Sequence, residues 1–279
     1  MTDSTVADEL IVQQVRQALS EDVGDGDRTA DLIPEGARSS VEVVCREEAI
    51  LCGTQWFDEV FLQLNAGISI SWDAADGDWL VEGQRICTLH GNTRALLTGE
   101  RTALNYLQTL SGTATLAGVY ARAVEGTGVK VLDTRKTVPG LRLQQKYAVA
   151  CGGCHNHRVG LYDAVLIKEN HIIAAGSITR ALEAASASAP GLEIEVEVES
   201  LAELDEALSA GARRVLLDNF DLHMLREAVA FNAGRARLEA SGNVNLETIR
   251  GIAETGVDDI SVGGLTKDVR AVDLSMRFI

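Results

Sequence analysis

Residues 129–136 read Val129-Lys130-Val131-Leu132-Asp133-Thr134-Arg135-Lys136, a short apolar run that stops at a polar, cationic end. The same form recurs along the second half of the chain. Asp163-Ala164-Val165-Leu166-Ile167 runs into Lys168-Glu169-Asn170-His171, and Val215-Leu216-Leu217 runs into Asp218-Asn219. Residues 236–240 run into Ser241-Gly242, residues 259–262 run into Gly263-Gly264, and residues 193–198 contain Glu197. Stretches with helical spacing lie between these runs. This alternation is the layout of a (β/α) barrel, which gathers its functional groups at the C-terminal ends of its strands. Only about six strands can be read where a complete barrel has eight, so the expected fold is an incomplete, open barrel with its open side covered, for example by a second subunit.

The run Glu193-Ile194-Glu195-Val196-Glu197-Val198-Glu199 alternates strictly, which puts all four carboxylates on one face of a strand. On a barrel strand the apolar face meets the outer helices and the glutamates point inward, where they need cationic partners. A solvent-facing edge strand is the competing reading. Arg135, Lys136, Arg158 and Lys168 are the cations placed to converge on an anion; the plainer reading is ordinary surface charge. Lys168 fits either an anion ligand or a Schiff-base lysine. Ser241-Gly242 and Gly263-Gly264 close the last two strands, where such barrels build phosphate sites from backbone N–H groups, and Lys267 could add a charge.

Cys151-Gly152-Gly153-Cys154-His155 matches the C-x-x-C-H pattern of haem attachment. Haem would need export, which the sequence does not signal, and zinc would need a second ligand pair, which does not stand nearby. The segment reads instead as a loop presenting His157 and Arg158.

The chain has 279 residues, 46% of them hydrophobic, and a formal net charge of −16. A sizeable core is expected, and an acidic surface argues against nucleic-acid and anionic-membrane partners. There is no apolar stretch of about 20 residues and no leader-like N-terminus, so a cytoplasmic protein is expected. Five cysteines, an odd number, fit a reducing compartment.

Residues 1–20 read as an opening helix, and Glu21–Thr29 as an acidic, solvated turn. Strand-like runs follow at 41–45, 68–72 and 85–89, and residues 77–83 resemble the turn of a hammerhead-like or biotinyl-like β unit. Two helices are expected at 93–112 and 113–125, with a domain boundary between about 110 and 128.

Taken together, Glu100-Arg101-Thr102-Ala103-Leu104-Asn105, Thr134-Arg135-Lys136-Thr137, Asn156-His157-Arg158, Leu166–His171, Leu216–Asn219 and Val262–Thr266 resemble the quinolinate phosphoribosyltransferases over nearly the whole chain. That resemblance implies an α/β protein, with an N-terminal α/β sandwich at 1–112 and an open (β/α) barrel at 113–268. Residues 269–279 would return to the first domain. It implies transfer of phosphoribosyl from phosphoribosyl pyrophosphate to quinolinate, with loss of carbon dioxide, in a Mg²⁺-dependent homodimer. Arg135, His157, Arg158 and Lys168 would line the quinolinate pocket, and Arg101 would reach in from the neighbouring subunit. Lys136 would serve quinolinate or pyrophosphate. Glu197 and Asp218 would face the ribose and the magnesium ion, which is carried with the substrate rather than held by permanent ligands. Ser241, Gly242, Gly263, Gly264 and Lys267 would hold the 5-phosphate. A relative acting on a different anionic substrate is the alternative, and a Schiff-base aldolase using Lys168 is a further one.

Overall fold

The structure, a computed structural model, describes residues 6–279. The opening helix read from residue 1 has its first five residues outside the described ones; α1 runs Asp8–Val23 and buries Ile11, Val15 and Leu19. By contacts the chain divides into two compact units. One takes the chain up to Gly118, Leu143–Gly153 and Asp268–Ile279; the other takes Val119–Arg142 and Cys154–Lys267.

The first unit holds β1 (Arg38–Cys45), β2 (Ala49–Ile50), α2 (Thr54–Leu64), β3 (Ser69–Trp72), β4 (Trp79–Leu80) and β5 (Arg85–Asn92). It also holds most of α3 (Thr93–Ala123) and α4 (Arg142–Cys151), and β12 (Leu274–Phe278). Its main sheet is antiparallel in the order β12-β1-β5-β3, so the last strand of the chain pairs with the first. A second pair joins β2 to β4. Val41 and Val43 of β1 are buried while the alternate residues Ser40 and Glu42 are not, the period-two pattern of a sheet with one face on a core. That core is filled by Trp56, Phe57, Val60 and Phe61 of α2 and by Leu96, Leu104 and Leu107 of α3.

The two helices expected at 93–112 and 113–125 are one helix of 31 residues. Gly112 does not end it. A Cβ at that position would lie 2.0 Å from the carbonyl oxygen of Arg270, so the glycine admits the returning C-terminal segment against the helix rather than breaking it. The acidic loop is also less free than its composition suggested. Asp27 accepts the amides of Thr29 and Ala30 and the hydroxyl of Thr98 on α3, whose bonds hold its carboxyl below the usual range.

The second unit is built on six parallel strands: β6 (Lys130–Leu132), β7 (Ala164–Ile167), β8 (Glu193–Val198), β9 (Arg214–Asp218), β10 (Arg237–Ser241) and β11 (Asp259–Ser261). Between them run α5 (Glu169–Ala175), α6 (Ile178–Ser188), α7 (Leu201–Ser209), α8 (Leu222–Asn232) and α9 (Ile249–Ala253), followed after β11 by α10 (Gly264–Lys267). The order is β6-β11-β10-β9-β8-β7, so the sheet is an open barrel with β6 and β7 at its edges. Every strand read from the sequence is present. Ser200 caps α7 by accepting the Glu203 amide, while the Glu203 carboxylate takes the amide of Glu199. Asn245 caps the turn at Glu247 and Thr248, and α9 begins at Ile249.

Parallel pairing puts Val196, Val198, Val215, Leu217, Leu238, Ala240 and Ile260 on one buried face, toward α6, α7 and α9. The opposite face of the same strands is charged.

Candidate active site

The register stacks the charged face in rows. Glu195, Arg214 and Arg237 share the row nearest the strand starts, Glu197, Glu239 and Asp259 come next with Lys168 level with them just past β7, and Asp218 and Ser241 stand in the last row, at the C-terminal ends. The lower rows form a closed ion network. Arg214 donates through Nε to Glu195 at 3.0 Å and through Nη2 to Glu239 at 2.6 Å, and lies 3.2 Å from Asp259. Arg237 forks onto both oxygens of Asp259 at 2.5 and 2.6 Å. Glu195, Glu239 and Asp259 are each at most 3% exposed, so the guanidiniums are what make their burial tolerable.

His157 joins this network from above. Its Nε2 lies 2.9 Å from Glu195 and 3.5 Å from Glu239, and its Nδ1 accepts the Arg158 amide at 2.7 Å. Three carboxylates face two guanidiniums, so the group balances its charge only by holding a proton. Burial pulls the imidazole pKa down, but hydrogen bonds to Glu195 and Glu239 outweigh it and hold it at about 9. With the Arg158 amide on Nδ1, the ring carries its own hydrogen on Nε2, and the additional proton that balances the charge is shared with Glu195 and Glu239, so it belongs to His157, Glu195 and Glu239 as a set.

Asp133, fully buried at the end of β6, accepts the His157 amide at 2.9 Å and the Asn156 side chain at 2.7 Å. It therefore pins the Asn156-His157-Arg158 loop. Arg142 pins the facing loop by donating to the carbonyls of Arg135 and Val159 and to the hydroxyl of Thr137.

Between these supports lie two half-buried guanidiniums. Arg158 donates to the Ala164 carbonyl at 3.1 Å, and burial together with the charge of Arg135 lowers its pKa. The Nε of Arg135 is buried without a hydrogen-bond partner among the described residues. Two neighbouring cations with a donor to spare make a receptor for carboxylate oxygens.

At the strand ends Lys168 meets Glu197 at 2.5 Å. Burial and the adjacent Glu197 charge raise the Asp218 pKa, with Lys168 and Lys136 opposing them. The stem of Lys136 crosses Gly263: a Cβ there would lie 3.1 Å from Lys136 Cδ. Thr266 on α10 donates to the Lys136 carbonyl at 2.7 Å. Asn219, at φ 57°, donates its amide to the Ser241 carbonyl, and its side chain lies over Gly242. Gly242 has φ 104°, and a Cβ would meet Asn219 Oδ1 at 2.2 Å, so only glycine fits.

The second unit thus brings together Arg135, Lys136, His157, Arg158, Lys168, Glu197, Asp218, Ser241, Gly242, Gly263 and Gly264. Lys267 is exposed at the end of α10. Arg101 belongs to the first unit, exposed on α3 one helical turn from exposed Asn105. Of the four glutamates of residues 193–199, Glu195 and Glu197 face inward as expected, whereas Glu193 and Glu199 are exposed at the two ends of the run. Sequence reading quoted Asp133 and Asn156 without a role for either and passed over Arg142, Arg214, Arg237, Glu239 and Asp259. The shared parity of Glu195, Arg214, Arg237, Glu239 and Asp259 within their strands was the signal for the ion network. The C-x-x-C-H pattern does not converge: Cys151 groups with Cys52 and Asp76 in the first unit, and Cys154 is buried in the second.

Two family models match the chain. The quinolinate phosphoribosyl transferase N-terminal domain covers residues 27–111, and the corresponding C-terminal domain covers residues 113–277. A Bacillus subtilis (strain 168) protein, a probable carboxylating nicotinate-nucleotide pyrophosphorylase, is 41% identical over 92% of this chain and 89% of its own. The Mycobacterium leprae carboxylating nicotinate-nucleotide pyrophosphorylase is 42% identical over 94% of this chain and 95% of its own. The solved structure of the nicotinate-nucleotide pyrophosphorylase from Francisella tularensis superposes with a TM-score of 0.97 at 45% identity, over 99% and 98% of the two chains.

The raised imidazole pKa has a consequence for stability. A group whose pKa rises on folding from about 6.5 to about 9 stabilises the fold fully below the lower value, and that contribution is lost as pH climbs through the upper one. Between pH 7 and 10 the thermal midpoint of the native chain should fall more steeply than that of His157→Gln. Parallel pH profiles for the two proteins would contradict the assignment.

Proposed function

The chain belongs to the quinolinate phosphoribosyltransferase family, and from that premise we propose how its strand-end site works. The enzyme is a pentosyltransferase: it joins quinolinate to the ribose carbon of phosphoribosyl pyrophosphate and releases pyrophosphate and carbon dioxide, forming nicotinate mononucleotide for NAD synthesis. The observation that carries the site assignment is the Arg135–Arg158 pair, with its unpartnered buried Nε. A pyridine dicarboxylate supplies the charge and the fork geometry that this pair lacks.

The pyridine nitrogen has a free lone pair, so attack at the ribose carbon needs no general base. The reacting carbon gains oxocarbenium character, and Glu197 and Asp218 are the carboxylates placed to stabilise it. Lys168 holds Glu197 in position through their ion pair. His157 acts through Arg158: its ring is committed to Glu195 and Glu239, and it fixes the loop that carries the guanidinium. Gly242, Gly263, Gly264, Ser241 and Lys267 bind the 5-phosphate through backbone approach and charge, with the Lys136 stem lying over Gly263. The commitment of Lys168 to Glu197 favours this reading over a Schiff-base aldolase.

Magnesium fits the strand-end carboxylates. Glu197 and Asp218 are hard oxygen donors, and the burial and adjacent Glu197 charge that raise the Asp218 pKa are offset by a divalent ion. When bound with phosphoribosyl pyrophosphate, magnesium neutralises the departing pyrophosphate. After transfer, the ring nitrogen is a pyridinium beside the 2-carboxylate. Carbon dioxide can then leave, the electron pair of the broken bond staying on C2 beside the positive ring nitrogen, and C2 takes a proton from solvent, while Arg135 and Arg158 keep their hold on the neighbouring carboxylate.

The working form is a homodimer in which Arg101 completes the site of the partner subunit. Arg101 and Asn105 stand exposed on α3, and Leu161, Tyr162 and Ile173 are large apolar side chains left exposed in the barrel unit. None of the five cysteines is in a disulfide, in keeping with a cytoplasmic, reducing setting. Among the described residues, no helix is long and apolar enough to cross a membrane.

With purified chain, magnesium and phosphoribosyl pyrophosphate, Arg135→Ala should raise the KM for quinolinate at least about tenfold, the loss of one charge-assisted fork. An unchanged KM would remove Arg135 from the pocket. Arg101→Ala and Lys168→Ala should each be inactive alone. Mixed and allowed to exchange subunits, they should recover about a quarter of native activity, because half the dimers are hybrids with one intact site. No recovery despite demonstrated exchange would contradict the shared site.

A further inference from the structure

Cys52, Asp76 and Cys151 converge in the first unit, away from every group used above. Cys52 lies in the link between β2 and α2, Asp76 in the loop between β3 and β4, and Cys151 is the last residue of α4. Their two Sγ atoms and a carboxylate oxygen all lie within 4.8 Å of one another. Cys52 is 0% exposed, while Asp76 and Cys151 are half-buried, so the cluster is shielded but can be reached. Tyr147, one turn before Cys151 on α4, donates its hydroxyl to Asp76 Oδ2 at 2.7 Å.

The carboxylate is held rigidly. Its oxygens accept the Gly53 amide at 3.0 Å and the Thr54 amide at 3.1 Å, which caps α2. Capping accounts for Asp76 but leaves two thiols aimed at the same point unexplained. Oδ2 already accepts from Gly53 and Tyr147, whereas Oδ1 accepts from Thr54 alone and retains a lone pair for a further partner.

We propose that Cys52, Asp76 and Cys151 form a binding site for one thiophilic divalent cation of the zinc type, with the fourth position taken by water or the Tyr147 oxygen. Ligands about 2.3 Å from a tetrahedral zinc stand roughly 3.8 Å apart, so the observed cluster closes with side-chain shifts of about an ångström or less. Thiolates select zinc-like ions over magnesium, so the ion that accompanies the substrate does not compete. The cation would bring +2 against two thiolates and one carboxylate, and binding would release the two thiol protons. Cys151 is the readier thiol: a hydrogen bond from Cys52 lowers its pKa, with burial opposing. Occupancy would tie the end of α4 to the β2–α2 link within the first unit. The sequence hid this site because its ligands are spaced 24 and 75 residues apart (52 to 76, 76 to 151), and because Cys154, the obvious partner of Cys151, is not one of them.

Titrating the reduced, chelator-treated full chain with Co²⁺, without substrate and without oxygen, tests this directly. The native chain should develop thiolate-to-cobalt charge transfer and the strong visible bands of tetrahedral cobalt. The signal should saturate at one equivalent and vanish on addition of Zn²⁺. Cys154→Ser should behave as native, Asp76→Asn should bind at least about tenfold more weakly, and Cys151→Ser should lose the charge-transfer band. Cys151 is partly exposed, so serine there is expected to leave the chain folded, which retained turnover would verify. No tetrahedral thiolate spectrum in the native chain, or an undiminished one in Cys151→Ser, would overturn the proposal. Neither result depends on the phosphoribosyl transfer assignment, because the readout needs no substrate.

Discussion

Arg214 is the constraint on which the barrel unit turns. It sits at the start of β9 and reaches carboxylates on β8, β10 and β11, so one side chain ties four adjacent strands through their inner face. Three nearly inaccessible carboxylates cannot stay ionised without it and Arg237. The network fixes the height of His157 above the sheet, and His157 and Asp133 in turn fix the loop that presents Arg158. Ionic matching deep in the barrel becomes position at the strand ends.

The strand ends use the opposite balance of charge. Beneath them every cation is committed to a carboxylate. Above, Arg135 and Arg158 sit side by side with incomplete pairing, and Asp218 sits beside Glu197 with its proton held more tightly than usual. Each imbalance costs the free protein stability and is offset when a partner of opposite sign binds: carboxylates on the arginine side, cationic character on the glutamate and aspartate side. A reaction in which an anion meets a carbon that becomes positive uses both. The glycines make the third component. Gly242, packed under Asn219, leaves no room for a side chain, and Gly263 lies under the Lys136 stem, at the strand ends where the proposed phosphate meets backbone.

Much of this was legible in the sequence because strand periodicity and strand-end chemistry are local. The six strand runs, the inward Glu195 and Glu197, the cationic ends at Arg135 and Lys168, and the glycine pairs could all be read from neighbouring residues. What could not be read depends on contacts between distant segments. Gly112 looks like a helix stop until the Arg270 carbonyl is placed against it. Arg214 looks like a surface arginine until β8 and β10 are laid beside β9. Asp133 looks like one more polar strand-end residue until the His157 amide arrives. Glu193 and Glu199 share the parity of Glu195 but lie at the exposed ends of the run, where Glu193 keeps only a long 4.0 Å approach to Arg214.

The central claim is that the paired arginines read two carboxylates on a pyridine ring. Calorimetric titration of the chain with quinolinate and, separately, with nicotinate tests it most directly, because nicotinate is the same ring with one carboxylate fewer. The account predicts that quinolinate binds at least about tenfold more tightly, the worth of one charge-assisted fork. Equal affinity for the two acids would contradict it.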